Sequence, residues 1–193
     1  MKRSYLQALL RKDQTVFSFK DLLLEWAPVK RSTAEARIAY YVKTGALYHI
    51  RRGLYGKDKG YSRHELANKI YKPSYISFET VTAQSGMTFQ YYSTIFLASY
   101  VSRDINCDGQ NYSFKKMRND ILADSRGVEI RKEFSIATPE RAFLDILYRS
   151  KDYYFDNLGS LDWNKVTEIL PLYRGGDTLT KKVEKYRQHE LQK

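Results

Sequence analysis

Lys30-Arg-Ser-Thr-Ala-Glu-Ala-Arg-Ile-Ala-Tyr-Tyr-Val-Lys-Thr-Gly45 has the apolar spacing of a helix, and Ala46-Leu-Tyr-His-Ile-Arg-Arg-Gly-Leu-Tyr-Gly56, which follows at once, has that of two short strands. Ser32 and Glu35 stand at the spacing of a capping box, in which the serine takes an orphan amide and the glutamate returns to the cap amide. Beyond them Ala34, Ile38, Tyr41 and Val42 recur on one side of a helix that runs to about Thr44 and is stopped by Gly45. Thr33, Arg37, Tyr40 and Lys43 are left for the other side. The pattern then changes: two short strand-forming runs around Arg51-Arg52-Gly53 predict a β-hairpin, or wing.

Toward the N-terminus, Tyr5, Leu6, Leu9 and Leu10 predict a helix over Ser4 to Arg11. A second helix follows Phe17, capped by Ser18 or Asp21, carrying Leu22, Leu23, Leu24 and Trp26 and ending before Pro28, which lacks an amide hydrogen and constrains its predecessor. Helix, helix, capped helix, hairpin is the order of a winged helix-turn-helix. Ser62 to Ile70 reads as a further helix that returns Leu66, Ala67 and Ile70 to the first three. A boundary is placed at Lys72-Pro73-Ser74, dividing the chain into residues 1–72 and residues 73–193.

In the second part Ser77 is expected to cap a helix over Phe78 to Gln84, closed by Gly86. Strand signals cover Ser93 to Val101, Tyr112 to Met117 and Val128 to Ile136, separated by polar turns such as Asn106-Cys-Asp-Gly109. Thr138-Pro139-Glu140 is a strong helix start, with Ala142, Phe143, Ile146 and Leu147 as the core face. Two weaker helices, Asp162 to Leu170 and Thr178 to Gln188, flank the Gly175-Gly176 break. The expected class is α+β: a winged helix-turn-helix followed by a mixed α/β C-terminal domain.

Charge supports that division. The chain carries 33 Lys or Arg against 22 Asp or Glu, a net +11. Residues 1–72 hold 16 against 6, or +10, and residues 73–193 hold 17 against 16, or +1. A positive field concentrated on one module suits a phosphate backbone. The hydrophobic fraction of 42%, with 17 Tyr and 9 Phe, is enough for a core. No apolar run approaches a membrane span, and Met1-Lys-Arg-Ser-Tyr-Leu-Gln-Ala-Leu-Leu-Arg-Lys-Asp-Gln14 turns polar too early for a signal peptide, so a cytoplasmic location without a membrane partner is expected. Cys107, the single cysteine, has no intramolecular disulfide partner.

Groove recognition needs a rigid rod with side chains that reach base edges. Arg37, with its two-pronged donor geometry, is the candidate guanine reader, together with Thr33, Tyr40 and Lys43. Lys30 and Arg31 are placed to meet phosphate beside the helix start. Arg51 and Arg52 would bring charge to the backbone or minor groove. Tyr40, Tyr41, Tyr48 and Tyr55 keep a second reading open, an RNA- or single-strand-binding module in which they stack on bases. A third is a nucleic-acid-processing enzyme whose carboxylates, Asp104, Asp108, Asp145 and Asp162, converge in the fold. The sequence holds no glycine-rich phosphate loop, HExxH, zinc spacing or nucleophile elbow, and no catalytic residue, cofactor or metal is assigned.

Three blocks then carry a resemblance: Ala46-Leu-Tyr-His-Ile-Arg-Arg-Gly-Leu-Tyr-Gly56; Leu66-Ala-Asn-Lys-Ile-Tyr-Lys-Pro-Ser-Tyr-Ile-Ser-Phe-Glu-Thr80 with Gly86 after it; and Ile136-Ala-Thr-Pro-Glu-Arg-Ala-Phe-Leu-Asp-Ile-Leu-Tyr148. In this order they resemble the AbiEi antitoxins of bacterial abortive-infection systems. The resemblance implies a repressor that binds inverted repeats in double-stranded operator DNA of its own toxin–antitoxin operon, as a possible dimer on that DNA. It also implies a C-terminal domain needed for antitoxin action, and a nucleotidyltransferase toxin as functional partner, neutralised without a required stable complex. The family's wing motif falls on Arg51, Arg52 and Gly53, and its recognition-helix arginine on Arg37.

Overall fold

The computed structural model describes residues 5–174 and 176–191; Ser4, the expected first residue of the first helix, and Gly175 lie outside the described residues. The N-terminal part runs α1 (Tyr5–Leu10), β1 (Val16–Ser18), α2 (Phe19–Glu25), α3 (Arg31–Lys43), β2 (Tyr48–Arg51) and β3 (Leu54–Gly56). Its capping box sits at the start of α2. The Ser18 hydroxyl accepts from the Asp21 amide at 3.1 Å, and the Asp21 carboxylate accepts from the Ser18 amide at 2.9 Å. The strands form an antiparallel sheet in the order β1-β3-β2. The strand β1, absent from the sequence reading, pairs Val16 with Gly56 and Ser18 with Leu54. Leu9, Phe17, Leu22, Trp26, Ala34 and Ile38 bury one another beneath it as a small core.

The next helix, α4 (Arg63–Ile70), is capped by Ser62, whose hydroxyl accepts from the Glu65 amide. Its apolar residues do not return to the first three helices as expected. Leu66 and Ala67 join a larger core with Tyr75, Ile76, Leu97 and Ile136. A longer-range partner, the second sheet, wins that surface. The opposite side of α4 meets β1 through Glu65, which is 3% exposed and whose carboxylate accepts from the amides of Thr15 (2.7 Å) and Val16 (2.8 Å).

The second sheet has six strands in the order β6-β7-β5-β4-β9-β8. These are β4 (Ser74–Ile76), β5 (Ile95–Ser99), β6 (Arg103–Cys107), β7 (Gln110–Lys116), β8 (Val128–Arg131) and β9 (Phe134–Ala137). It is mixed: β5 runs parallel to β7 and β4 parallel to β9, while the remaining neighbours are antiparallel. The predicted stretch from Val128 to Ile136 is thus a hairpin, not one strand, and Asp108-Gly109 turns β6 into β7. Helices α5 (Glu79–Gln84), α6 (Asn119–Ala123), α7 (Pro139–Arg149), α8 (Trp163–Ile169) and α9 (Gly176–Leu191), with a 3-10 turn at Leu170–Tyr173, complete the α+β arrangement. Among the described residues no helix is long and apolar enough to cross a membrane.

Helix α7 starts where the sequence placed it, with the Thr138 hydroxyl accepting from the Arg141 amide and Pro139 in the first turn. Its buried residues include Ala142, Phe143, Ile146 and Leu147, Glu140 at 5% exposure in the first turn, and two wholly enclosed charges, Arg141 and Asp145, both 0% exposed. Neither is left unpaired, which a buried charge could not sustain. Arg141 donates to the Arg126 carbonyl (2.6 Å), the Ile121 carbonyl (2.7 Å) and the Tyr75 hydroxyl (3.0 Å). Asp145 accepts from Ser77 (2.7 Å) and Tyr173 (2.7 Å). Burial pushes the Asp145 carboxyl upward, against Arg141 and these hydroxyls, which favour its charged form. Ser77 is therefore spent on Asp145 and does not cap α5, whose cap residue is Phe78 at φ 54.

Candidate nucleic-acid interface

The rod at the centre of the sequence reading is present as α3, but it begins earlier than its capping signal. Lys30 is the cap residue, with no side-chain cap bond, and Ser32 and Glu35 lie inside the helix. Glu35 instead receives the Arg31 guanidinium at 2.9 Å, four residues back, and Arg31 also lies over the Phe19 ring at 5.1 Å. The Lys30 side chain thus makes no capping bond to the first-turn amides, the end of a helix that favours an anion. At the other end Gly45, at φ 73, stops the helix, and the Ala46 amide donates to the Tyr41 carbonyl at 2.8 Å.

Ala34 and Ile38 face the small core, with Tyr41 and Val42 packed at its edge. The outer stripe carries Thr33, Ala36, Tyr40 and Lys43, all exposed, with Tyr40 at 62%. Lys30 and Arg31 are exposed at the head of the rod. Ala36, a small exposed side chain not singled out from sequence, stands between Thr33 and Tyr40 on this face. Successive helical positions turn by about 100°, which sets these four within about 80° of one another.

Arg37 does not join them. Its guanidinium carbon lies 3.7 Å from the centroid of the Tyr5 ring and 5.3 Å from that of Trp26. One terminal nitrogen is shut from solvent without a hydrogen-bond partner. The expectation that this side chain projects outward with Tyr40 is corrected: Arg37 sits at the margin of the core stripe, where two aromatic rings draw it inward.

The two hairpin arginines also separate. Arg52 is exposed at the tip, before Gly53 at φ 75, and the Phe19 amide donates to the Gly53 carbonyl at 2.9 Å, which ties the tip to the start of α2. Arg51 is half-buried, and its charge acts on Cys107 of β6. Burial pushes that thiol up, and the Arg51 charge pulls the other way.

No family model matches the chain, and no curated protein is similar to it.

Of the tyrosines weighed as base-stacking groups, Tyr41 meets Trp26 edge-on at 6.1 Å, Tyr48 stacks on Tyr61 at 6.1 Å, and Tyr55 lies 5.6 Å from His49 across the sheet. Tyr40 alone of the four is largely exposed. The four carboxylates weighed as a catalytic set are engaged separately. Asp104 accepts from Ser113 at 2.7 Å, and Asp162 caps α8. Asp145 is enclosed by the α7 network, and Asp108 accepts from Tyr48 (3.0 Å), Tyr61 (2.7 Å) and Arg63 (2.9 Å). The Tyr61 hydroxyl, with Arg63 and Tyr48, holds the Asp108 carboxyl below its ordinary range, outweighing partial burial.

Proposed function

We propose that residues 1–72 form a winged helix-turn-helix that binds double-stranded DNA, with α3 in the major groove and the β2–β3 hairpin against the backbone. The observation that carries this reading is the open outer stripe of α3, Thr33, Ala36, Tyr40 and Lys43, on the part of the chain that holds +10 of the net +11. Thr33 and Ala36 offer methyl groups to a thymine, and Tyr40 a hydroxyl and a ring to a base edge. Lys30, Lys43 and Arg52 supply phosphate contacts, and Arg31 adds one when it leaves Glu35. Arg37 acts indirectly, fixing α3 against α1 through Tyr5.

The resemblance to AbiEi antitoxins extends the proposal to a repressor of its own toxin–antitoxin operon, bound to inverted repeats, whose C-terminal part opposes a nucleotidyltransferase toxin. An adjacent nucleotidyltransferase gene, and rescue of growth when both are expressed, is the expected outcome for the antitoxin role. For the DNA role, fluorescence anisotropy compares duplex from upstream of the gene with a scrambled duplex and a single-stranded RNA of equal length at physiological salt. Tighter binding to the upstream duplex is expected. Equal affinity for both duplexes removes sequence recognition, and preference for the RNA replaces the duplex reading.

A further inference from the structure

A cleft of about 740 Å³ opens between α4, α6 and the β8–β9 hairpin. Its wall is apolar: Leu122, Val128 and Phe134 line it and lean on the main core. Ile130, on the edge strand β8, borders it at 81% exposure. The rim carries Lys72 and Lys132, both exposed and without an ion pair among the described residues. Two other charges in the lining are already answered: Lys69 reaches Asp21 at 2.6 Å, and Asp124 holds Arg126 at 2.7 Å. Glu133 is the remaining carboxylate in the lining, so the uncompensated rim charge is positive.

One polar group in the lining is incomplete. Asn68 on α4 is 8% exposed; its oxygen accepts from the Ser135 amide at 2.5 Å, while its side-chain nitrogen is buried without a partner. The backbone amide fixes which way the side chain points, since reversing it would set donor against donor. Buried donors left unpaired are rare in folded proteins.

We propose that this cleft binds a small amphipathic anion. Its aromatic or aliphatic body lies on Leu122, Val128, Phe134 and Ile130, and its carboxylate, phosphate or sulfonate group meets Lys72 and Lys132, with Asn68, whose side-chain nitrogen is closed to solvent, in the lining beside it. An apolar concavity with a few convergent polar groups is the usual form of a small-molecule site. The proposal needs no nucleic acid, so it stands or falls separately from the duplex reading.

The probe is 8-anilinonaphthalene-1-sulfonate, which joins an aromatic body to a sulfonate and fluoresces when shielded from water. The full chain at neutral pH and low salt is expected to bind it saturably at one site, with a shift of the Asn68 side-chain amide signal in the NMR spectrum. The double variant Lys72→Glu/Lys132→Glu, changed only at exposed positions, is expected to bind it roughly tenfold more weakly. Uncharged N-phenyl-1-naphthylamine should bind wild type and variant alike. An equal charge change elsewhere, Lys20→Glu/Lys151→Glu, at two exposed positions, should leave sulfonate binding near wild type. The proposal is overturned by absence of saturable binding, by an unmoved Asn68 signal on saturation, or by equal losses in the two double variants.

Discussion

Arg37 owes its place to what stands across from it. A side chain at the margin of a helix's buried stripe turns outward or inward according to its neighbours, and Tyr5 and Trp26 supply two ring faces at 3.7 and 5.3 Å. Arg37→Ala is therefore expected to lower stability by about 1 kcal/mol in thermal melts, the worth of a partly desolvated cation–ring contact. It should weaken specific and random duplexes by the same factor, whereas Tyr40→Ala should weaken the specific duplex more; a selective loss with Arg37→Ala would return that residue to the groove. Asp21 is a second residue whose role is set at a distance. Its carboxyl is held below the ordinary value of 3.8 although burial alone would raise it, because Lys69 and the Ser18 amide favour the charged form. The unfolded chain then takes up this proton more readily than the folded one, so the stabilisation is complete above about pH 4 and fades as pH falls through the folded-state value. Asp21→Asn should melt lower than wild type at pH 7, and the gap should narrow on acidification; a gap that stays constant as pH falls would assign the effect to packing.

At the scale of elements, the sequence made plain what local chemistry decides. Thr138-Pro139-Glu140 starts α7 because cap, proline and acidic first turn act within one turn of chain, and Gly45 stops α3 for the same kind of reason. The same rules misplaced the start of α3, since an Arg31–Glu35 pair and the Phe19 ring beneath Arg31 compete with the Ser32 box, and only the fold supplies Phe19. The strand β1 was invisible because its three residues become a strand only through β3, and β6 because its exposed Arg103, Asp104 and Asn106 give no apolar alternation. Among the candidate contacts, Lys30, Thr33, Tyr40, Lys43 and Arg52 lie exposed as read, while Arg37 was claimed by rings distant in sequence and Arg51 is half-buried in the hairpin. Periodicity also marked the apolar face of α7 without showing that Arg141 and Asp145 share it. Asp145→Ala should cost about 3 to 5 kcal/mol in denaturant titrations, because it strands Arg141 in the core. The double change Arg141→Met/Asp145→Leu should cost less than the two single changes added together, and strict additivity would mean the two side chains act independently.

For the whole molecule, the question is how a strongly basic part is held to a nearly neutral one. One carboxylate crosses between them: Asp108, at the β6–β7 turn, takes Tyr48, Tyr61 and Arg63. Within the basic part Glu65 ties β1 to α4 through the amides of Thr15 and Val16, and α4 in turn places Leu66 and Ala67 in the larger core. Such a rigid mount leaves Lys30, Lys43 and Arg52 exposed without an ion pair among the described residues, whereas Arg31 is partly answered by Glu35. Each cation that meets a phosphate displaces a condensed counterion, and the logarithm of affinity falls with the logarithm of salt by about 0.9 per contact. Lys43→Ala should therefore reduce the slope measured by anisotropy between low and physiological salt by about 0.9, and weaken random and upstream duplexes alike. Lys151→Ala, an exposed cation beyond the basic part, should leave the slope unchanged. If the two variants alter the slope equally, the positive charge acts as a diffuse cloud, and α3 loses its claim to a defined seat on the duplex.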